Sequence, residues 1–401
     1  MTEAAHQVNV SHDDEVAQLV ADRRDFHRNP ELAYRESRTA GIIASRLSAL
    51  GYEVKEGVGR TGVTGLLRGS GPSAGEAPRT LLYRADMDAL PINEENSVDY
   101  RSQRENVMHA CGHDAHVAIG LALAKRISGM RDKIAGNVKF VFQPAEERGS
   151  GAAAMIEDGA LADPPVDAAI GLHVWNNLPV GQAGIYAGPM MAACDEFELV
   201  IHGRGGHGAM PEQTVDAIVA GAQVVSALQT IVSRNVSPLD SAVVTVGKFA
   251  AGTAFNVIAE SATLTGTVRT FAQTTFEAIP GIFERVVRGV TEALGATYDL
   301  KYDRHTPPVV NDSAMCALMA RCAAEVVGGD NVIQDRSVPT MGSEDMSYFL
   351  QKVPGCYYFL GTRNPEGGFV HPHHSPKFDI DESALPIGLE IMTRAVLSYL
   401  S

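Results

Sequence analysis

Brief apolar runs alternate with helical segments along this chain, and that rhythm leaves few folds open. Residues 80–84, 138–142 and 168–172 are short runs of the kind that form strands buried on both faces. Helical spacing fills the intervals at 113–127 and 150–157. It also precedes them from 13 to 50, with a break at Asn29-Pro30 and a stop at Gly51. Strand and helix in alternation make an α/β fold, a mainly parallel sheet flanked by helices.

Beyond Gly188 the rhythm changes. A strand at 197–202, a helix at 214–233, strands at 242–249 and 262–270, a helix at 276–294 and a strand at 297–302 spell β-α-β-β-α-β, the pattern of a small ferredoxin-like α+β domain. After Thr306-Pro307-Pro308 the α/β character returns. The expected organisation is a larger domain over 1–187 and 305–401, interrupted by an inserted domain at 188–304. Length agrees, since 401 residues exceed the roughly 250 to 300 at which single cores stop growing. Residues 69–78 read as a surface loop.

Charge narrows the partners. With 33 Lys and Arg against 48 Asp and Glu, the net charge of -15 repels phosphate backbones and anionic lipid surfaces, so neither nucleic acid nor membrane is expected. The five cysteines are odd in number and widely spaced, unlike a disulfide scaffold. The opening MTEAAHQVNVSHDDE lacks the basic start and apolar run of a secretory signal. No stretch reaches the roughly 20 apolar residues of a membrane helix. A reducing, cytoplasmic location is the expectation.

Chemistry-bearing residues gather where the strand-like runs end, which is where open α/β sheets place their sites. MHACGHDAH (108–116) sets Cys111 and His113 two apart, with His109 and His116 beside them. A thiol and an imidazole at that spacing can reach one metal centre from a loop entering a helix. They can equally form a nucleophile pair, or be a buried Cys beside surface His. FVFQPAEERG runs a buried strand into Glu146-Glu147, two carboxylates able to divide ligation from proton transfer, or simply to favour a helix start. AAIGLHVW delivers His173 just after a strand ending at Leu172, YRADMDALP delivers Asp86 and Asp88, and HPHHSPKFD (371–379) clusters His371, His373 and His374.

Taken together, FHRNPELAY (26–34), RADMDALP, HACGHDAH, FQPAEE, GLHVW, GGHGAMP (205–211), FNVIAE (255–260), GSEDMSYF (342–349) and HHSP make nearly the whole chain resemble a known family. It is similar to the aminoacylase and carboxypeptidase metallopeptidase superfamily, in its branch of hippurate hydrolases, N-acyl-amino-acid amidohydrolases and indole-3-acetyl-amino-acid hydrolases. The resemblance implies a zinc-peptidase-like catalytic domain with an inserted lid and dimerisation domain, in a homodimer or higher homo-oligomer. It implies two divalent metal ions per subunit, zinc, manganese, cobalt or nickel, held by Cys111, His113, Glu147, His173 and His374. Glu146 is implied as general acid and base, with Asp88 in support. Where the wider superfamily has a His-x-Asp motif this chain has Asp86-Met87-Asp88, so the metal-binding His of that motif is missing. Cys111 with His113 would restore the lost ligation.

His207, in glycine-rich GRGGHGAMP, is implied as an oxyanion donor reaching a partner subunit's site. Asn256 and Arg269 are candidates for the substrate's carboxylate or carbonyl, Arg through its planar fork of donors, with a solvated strand face the alternative for Arg269. The 342–345 loop resembles one near the substrate in the family, although acidic loop residues such as Glu344 and Asp345 are commonly solvated. Cys194, Cys316, Cys322 and Cys356 read as small core or surface residues.

These readings imply hydrolysis of the amide bond of an N-acyl amino acid, hippurate-like or N-acetyl, releasing a carboxylic acid and a free amino acid. A metallo-carboxypeptidase or dipeptidase is the neighbouring alternative. A cysteine hydrolase using Cys111 with His113, resistant to chelators, belongs to a different class. A binding protein that captures its ligand without turnover belongs to a third, against which Glu146 argues as a proton shuttle.

Overall fold

The computed structural model describes residues 12–72 and 77–401. The amino-terminal stretch 1–11 and residues 73–76 of the 69–78 loop, both interpreted above from sequence, lie outside the described residues.

The chain divides into two compact units. The first comprises residues up to Gly188, Asn311–Val338 and Tyr348–Ser401, and the second Pro189–Val310 with Pro339–Ser347. Pro339–Ser347 joins the second unit because Thr340 forms a parallel bridge with Met191. The Ala192 N–H also donates to the carbonyls of Thr340 (3.3 Å) and Gly342 (2.9 Å).

Among the described residues, the first unit holds an eight-stranded sheet. Its order is Glu53–Val58, Gly62–Arg68, Asn137–Gln143, Thr80–Asp86, Ala168–Pro179, Gly355–Arg363, Ala183–Gly184, Val332–Ile333. The four central strands run parallel and antiparallel pairing is confined to the flanks. Strands covered on both faces must be apolar on both, and Thr80–Asp86 and Asn137–Gln143 are buried throughout. Helix His113–Gly129 is buried at every residue from His113 to Leu121. One strand boundary is corrected. The strand expected to stop at Leu172 continues to Pro179, because its pairing with Gly355–Arg363 carries on from His173 opposite Phe359 to Pro179 opposite Arg363. The helix expected over 150–157 is found at Gly151–Glu157, and Glu146-Glu147 open a single 3-10 turn before it, Glu146–Arg148.

The second unit is the β-α-β-β-α-β arrangement. Its antiparallel sheet runs Ala242–Ala251, Ser261–Thr270, Ala193–His202, Thr297–Thr306, with helices Ala217–Thr230 and Gln273–Ala293. Helix Ala217–Thr230 starts three residues later than expected, where Asp216 Oδ1 accepts from the N–H groups of Ile218 (2.9 Å) and Val219 (3.1 Å). It continues through a π turn, Ile231–Asn235. The combined Ala217–Asn235 stretch is long and apolar enough by composition to cross a membrane, which no stretch was expected to be. Its Ala217, Ala220, Val224 and Leu228 instead share a core with Leu199, Leu264 and Phe283, as an amphipathic core helix does.

One buried ionic network ties the first helix, His12–Arg28, to the start of His113–Gly129. Arg23 places Nε 2.9 Å from Asp114 Oδ2 and Nη2 2.6 Å from Asp379 Oδ1, with its side chain fully buried. His27 sets Nδ1 2.7 Å from the same Asp114 oxygen and Nε2 3.3 Å from Glu94 Oε1. Burial opposes a charge on His27, but Asp114 and Glu94 overcome it and hold its pKa up to about 9. An unfolded His titrates near 6.5, so this stabilisation is complete below about pH 6.5 and disappears as pH rises through the folded value. At about 1.4 kcal/mol per pH unit the loss is on the order of 3 kcal/mol. Denaturant unfolding at the two ends of this window will show the fall, and His27→Gln will flatten it. Identical pH dependence in the variant and the parent would remove His27 as the source.

Candidate active site

Two adjacent strand ends are joined by one carboxylate. Asp88 follows strand Thr80–Asp86, and its Oδ1 and Oδ2 accept from the backbone N–H groups of Glu146 (3.0 Å) and Glu147 (3.1 Å), just past strand Asn137–Gln143. Glu36, buried before helix Ser37–Ala49, accepts from the Ala145 N–H (3.0 Å) and the Thr61 hydroxyl (2.6 Å). Ala145 sits at φ 53°, a left-handed conformation that disfavours a residue with a Cβ. The turn bearing the two glutamates is thus held from both sides. Gly151 closes it, since a Cβ there would lie 1.6 Å from the Pro144 carbonyl oxygen.

The HACGH segment approaches from the start of helix His113–Gly129. Gly112 has φ 88°, and a Cβ on it would lie 2.2 Å from Val174 Cγ2, so only glycine lets this loop rest on the strand that carries His173. Cys111 Sγ lies 3.5 Å from His173 Nε2. The other ring nitrogens fix the tautomers. His113 Nδ1–H donates to the Asp88 carbonyl (2.8 Å) and His173 Nδ1–H to the Val174 carbonyl (2.6 Å), which makes Nε2 the nitrogen each ring can offer to an ion. His374, at φ 64°, donates its backbone N–H to the Ala110 carbonyl (2.8 Å) and sets Nε2 3.4 Å from Glu147 Oε1.

These contacts bring together all five residues expected to ligate metal. Donor atoms of Cys111, His113 and His173, and separately of Cys111, Glu147 and His374, lie within 4.8 Å of one another. Ligand atoms on a tetrahedral ion at 2.0–2.3 Å stand about 3.3–3.8 Å apart. The residues fit a bound ion on two further grounds. His113 Nε2 is buried with no hydrogen-bond partner, and the local potential is negative. Burial opposes an imidazolium at His113, yet Asp86, Asp88 and Glu147 hold its pKa up to about 10. Burial likewise opposes ionisation of Glu147, but His374 and His113 keep its carboxyl below the usual range. Groups that favour a proton there also favour a cation.

Asp88 spends both oxygens on the glutamate turn, which makes it a positioning residue. His373 Nε2–H donates to the Val174 carbonyl (2.9 Å), His371 accepts through its carbonyl from Asn176 Nδ2 (2.9 Å), and His109 is buried, with burial pulling its pKa down to about 3. In the second unit, His207 pairs with Val257 on the strands Gly206–His207 and Val257–Ile258, and Asn256, just before the second strand, accepts through its carbonyl from the Gly208 N–H (2.9 Å). Both side chains are exposed. Arg269 is half-buried and bonds through Nη1 to Thr267 Oγ1 on its own strand. Glu344 and Asp345 are buried rather than solvated, Glu344 Oε1 accepting from the Met346 N–H (3.0 Å). Of the remaining cysteines, Cys316, Cys322 and Cys356 are buried and Cys194 is partly so. Glu36 carried no signal in the sequence; its function appears only through contacts remote in the chain.

The chain resembles known proteins over most of its length. An N-acyl-L-amino acid amidohydrolase of Geobacillus stearothermophilus is 46% identical over 294 residues, 73% of this chain and 78% of the relative. Thermostable carboxypeptidase 2 of Saccharolobus solfataricus is 38% identical over 374 residues, 92% of each. A solved Bacillus subtilis structure, described as a dinuclear metal binding peptidase from the M20 family, superposes with a TM-score of 0.83 at 32% identity, covering 97% of this chain and 99% of the other. The model of peptidase family M20/M25/M40 matches residues 82–398, and the chain belongs to that family.

Proposed function

We propose that this protein is a dinuclear metal-dependent amidohydrolase that cleaves the amide of an N-acyl amino acid to a carboxylic acid and a free amino acid. The observation that carries the reading is Glu146. Cys111, His113 and His173 form one candidate triplet and Cys111, Glu147 and His374 another; Glu146 gathers with His113 and Glu147 as well, with Oε2 3.9 Å from His113 Nε2. Five other side chains fill the two triplets without it, so we assign Glu146, the carboxylate beside them, to proton transfer.

An amide is a poor electrophile and water a poor nucleophile. Two divalent ions, when bound, polarise the carbonyl and make water acidic near neutral pH. Cys111, His113, Glu147, His173 and His374 would hold them. Glu146 accepts the proton of the attacking water and returns it to the leaving amine. Asp88 keeps Glu146 and Glu147 in register. His207 and Asn256, both exposed, would bind the substrate's polar groups, with Arg269 assisting.

The two compared relatives differ in the group removed but share a product type, an amino acid with a free carboxylate. The carboxypeptidase relative supports peptide hydrolysis as the second reading. A cysteine nucleophile fits less well. The imidazole at the Cys111 sulfur is His173, and burial with the nearby His116 and His373 holds its pKa well below the usual range, so it is a weak base. All five cysteines are free, which supports a reducing compartment such as the cytoplasm. The ions of this reading are divalent zinc, manganese, cobalt or nickel, which thiolate, imidazole and carboxylate ligands together can hold.

Substitution separates the roles. Glu146→Gln removes the proton acceptor and keeps the shape, so metal content will survive while turnover falls toward the upper end of the roughly 10²–10⁴-fold range for acid-base groups. Glu147→Gln will lose metal together with rate, and added metal will restore part of both. Activity of Glu146→Gln above about a tenth of wild type would rule out its role. Cys111→Ser will bind metal weakly and recover at high metal concentration, since a hydroxyl ionises far less readily than a thiol; normal metal content without rescue would indicate a nucleophile instead.

We further propose a homodimer formed through the inserted unit. Strand Ala242–Ala251 is a sheet edge, and Ile218, Val219, Val243, Phe249 and a fully exposed Phe255 lie on this unit. Mixing His207→Ala with Glu146→Gln subunits tests whether His207 serves its neighbour. Hybrids will regain activity if it does, and the mixture will stay as inactive as its parents if it does not.

A further inference from the structure

His116 stands three residues after His113, a spacing that would place a second ligand on the same helix face. Asp86, His113 and His116 also bring donor atoms within 4.8 Å of one another. The hydrogen bonds point the other way. The backbone N–H of Val174 lies 3.0 Å from His116 Nε2, and an N–H can only donate, so Nε2 carries a lone pair that is already engaged. Nδ1 then bears the proton and donates it to Asp86 Oδ1 (2.6 Å). Neither nitrogen of His116 is left for an ion.

Asp86 is equally committed. Its Oδ1 takes the His116 proton and its Oδ2 lies 2.6 Å from Arg84 Nη1, while Arg84 Nε donates to Gln143 Oε1 (2.8 Å). All three of Arg84, Asp86 and His116 are buried. The His116 ring meanwhile touches both imidazoles of the first ligand triplet. It stacks on His113 with centroids 5.5 Å apart and planes at 29°, and meets His173 edge-on at 4.8 Å and 74°. The His113 and His173 rings are 6.1 Å apart. Val174, which fixes His116 through its N–H, is also the residue whose carbonyl fixes His173.

We propose that His116, locked by Asp86 and Arg84, is a positioning residue: a non-ligating wedge that sets the spacing and orientation of His113 and His173 for a metal ion. Asp86, at the position of the wider family's metal-binding histidine, aligns a histidine instead of ligating. This rests on the metal-centre reading above and extends it to which histidines stay out of the coordination shell.

Two measurements on the full chain test it. In wild-type protein with ¹⁵N-labelled histidine, zinc titration will move the Nε2 resonances of His113 and His173 and leave His116 as the Nδ1–H tautomer. Movement of a His116 nitrogen to a zinc-bound position overturns the proposal, whereas no movement at any histidine overturns the metal reading itself. In the second, cobalt(II) affinity is measured by competition with a chelator. His116→Gln can still donate to Asp86 and accept from Val174 and will keep most of the affinity. His116→Phe keeps the ring but neither hydrogen bond and will lose about 10- to 100-fold, as is typical when a partner of a ligand is removed. Equal losses in the Gln and Phe variants, with one ion fewer per chain, would make His116 a ligand. Should the Phe variant not fold, the zinc titration decides alone.

Discussion

The bidentate grip of Asp88 on the Glu146 and Glu147 backbone is the contact on which the site turns. Three carboxylates crowded at two strand ends repel one another, and their separation into fixed places needs donors aimed at specific oxygens. Hydrogen bonds to a charged acceptor contribute about 1.5–3 kcal/mol each, and Asp88 makes two of them to consecutive N–H groups. The turn therefore presents its glutamates toward different partners, Glu147 to His374 and Glu146 to His113. Adjacent residues of the same type acquire separate chemistry because the backbone between them is pinned.

The acidic surroundings have a second consequence. Without a cation, His113 holds a proton tightly between Asp86, Asp88 and Glu147. A ligand must be deprotonated, so ion and proton compete for His113, and metal uptake releases that proton. Rising pH favours the ion. His173 differs, because burial and the neighbouring imidazoles of His116, His373 and His113 hold its pKa well below the usual range.

The α/β rhythm and the β-α-β-β-α-β pattern were legible in the sequence because they rest on local signals, apolar runs and turn residues; His, Cys and Glu at strand ends marked candidates, and the resemblance to a family chose Cys111, His113, Glu147, His173 and His374 among them. What escaped was nonlocal. The strand through His173 runs to Pro179 because a partner distant in the chain extends it. Glu36 supports Ala145 across 109 positions of sequence. Glu344 and Asp345 look like solvated loop residues and are buried, since burial depends on packing that spacing does not encode. His116 is the subtler case. Its spacing from His113 suggests a ligand, and only the Val174 N–H at its second nitrogen reveals otherwise.

The position of the ligands on the fold explains why so many anions are needed. The HACGH segment lies at the amino-terminal end of helix His113–Gly129, where the helix dipole presents partial positive charge and disfavours cations. A divalent ion there is stable only if nearby negative charge outweighs the dipole. Asp86, Asp88, Glu146 and Glu147 supply it. The same dipole favours an anion at the preceding position, and the thiolate of Cys111 is the form in which sulfur ligates. Asp114, in the first turn, gains from the dipole as well, but Arg23 and His27 consume its charge on the side of the first helix. Successive residues of one helix start, His113 and Asp114, therefore serve two electrostatic systems of opposite sign, one built to receive a cation and one already neutralised by protein groups.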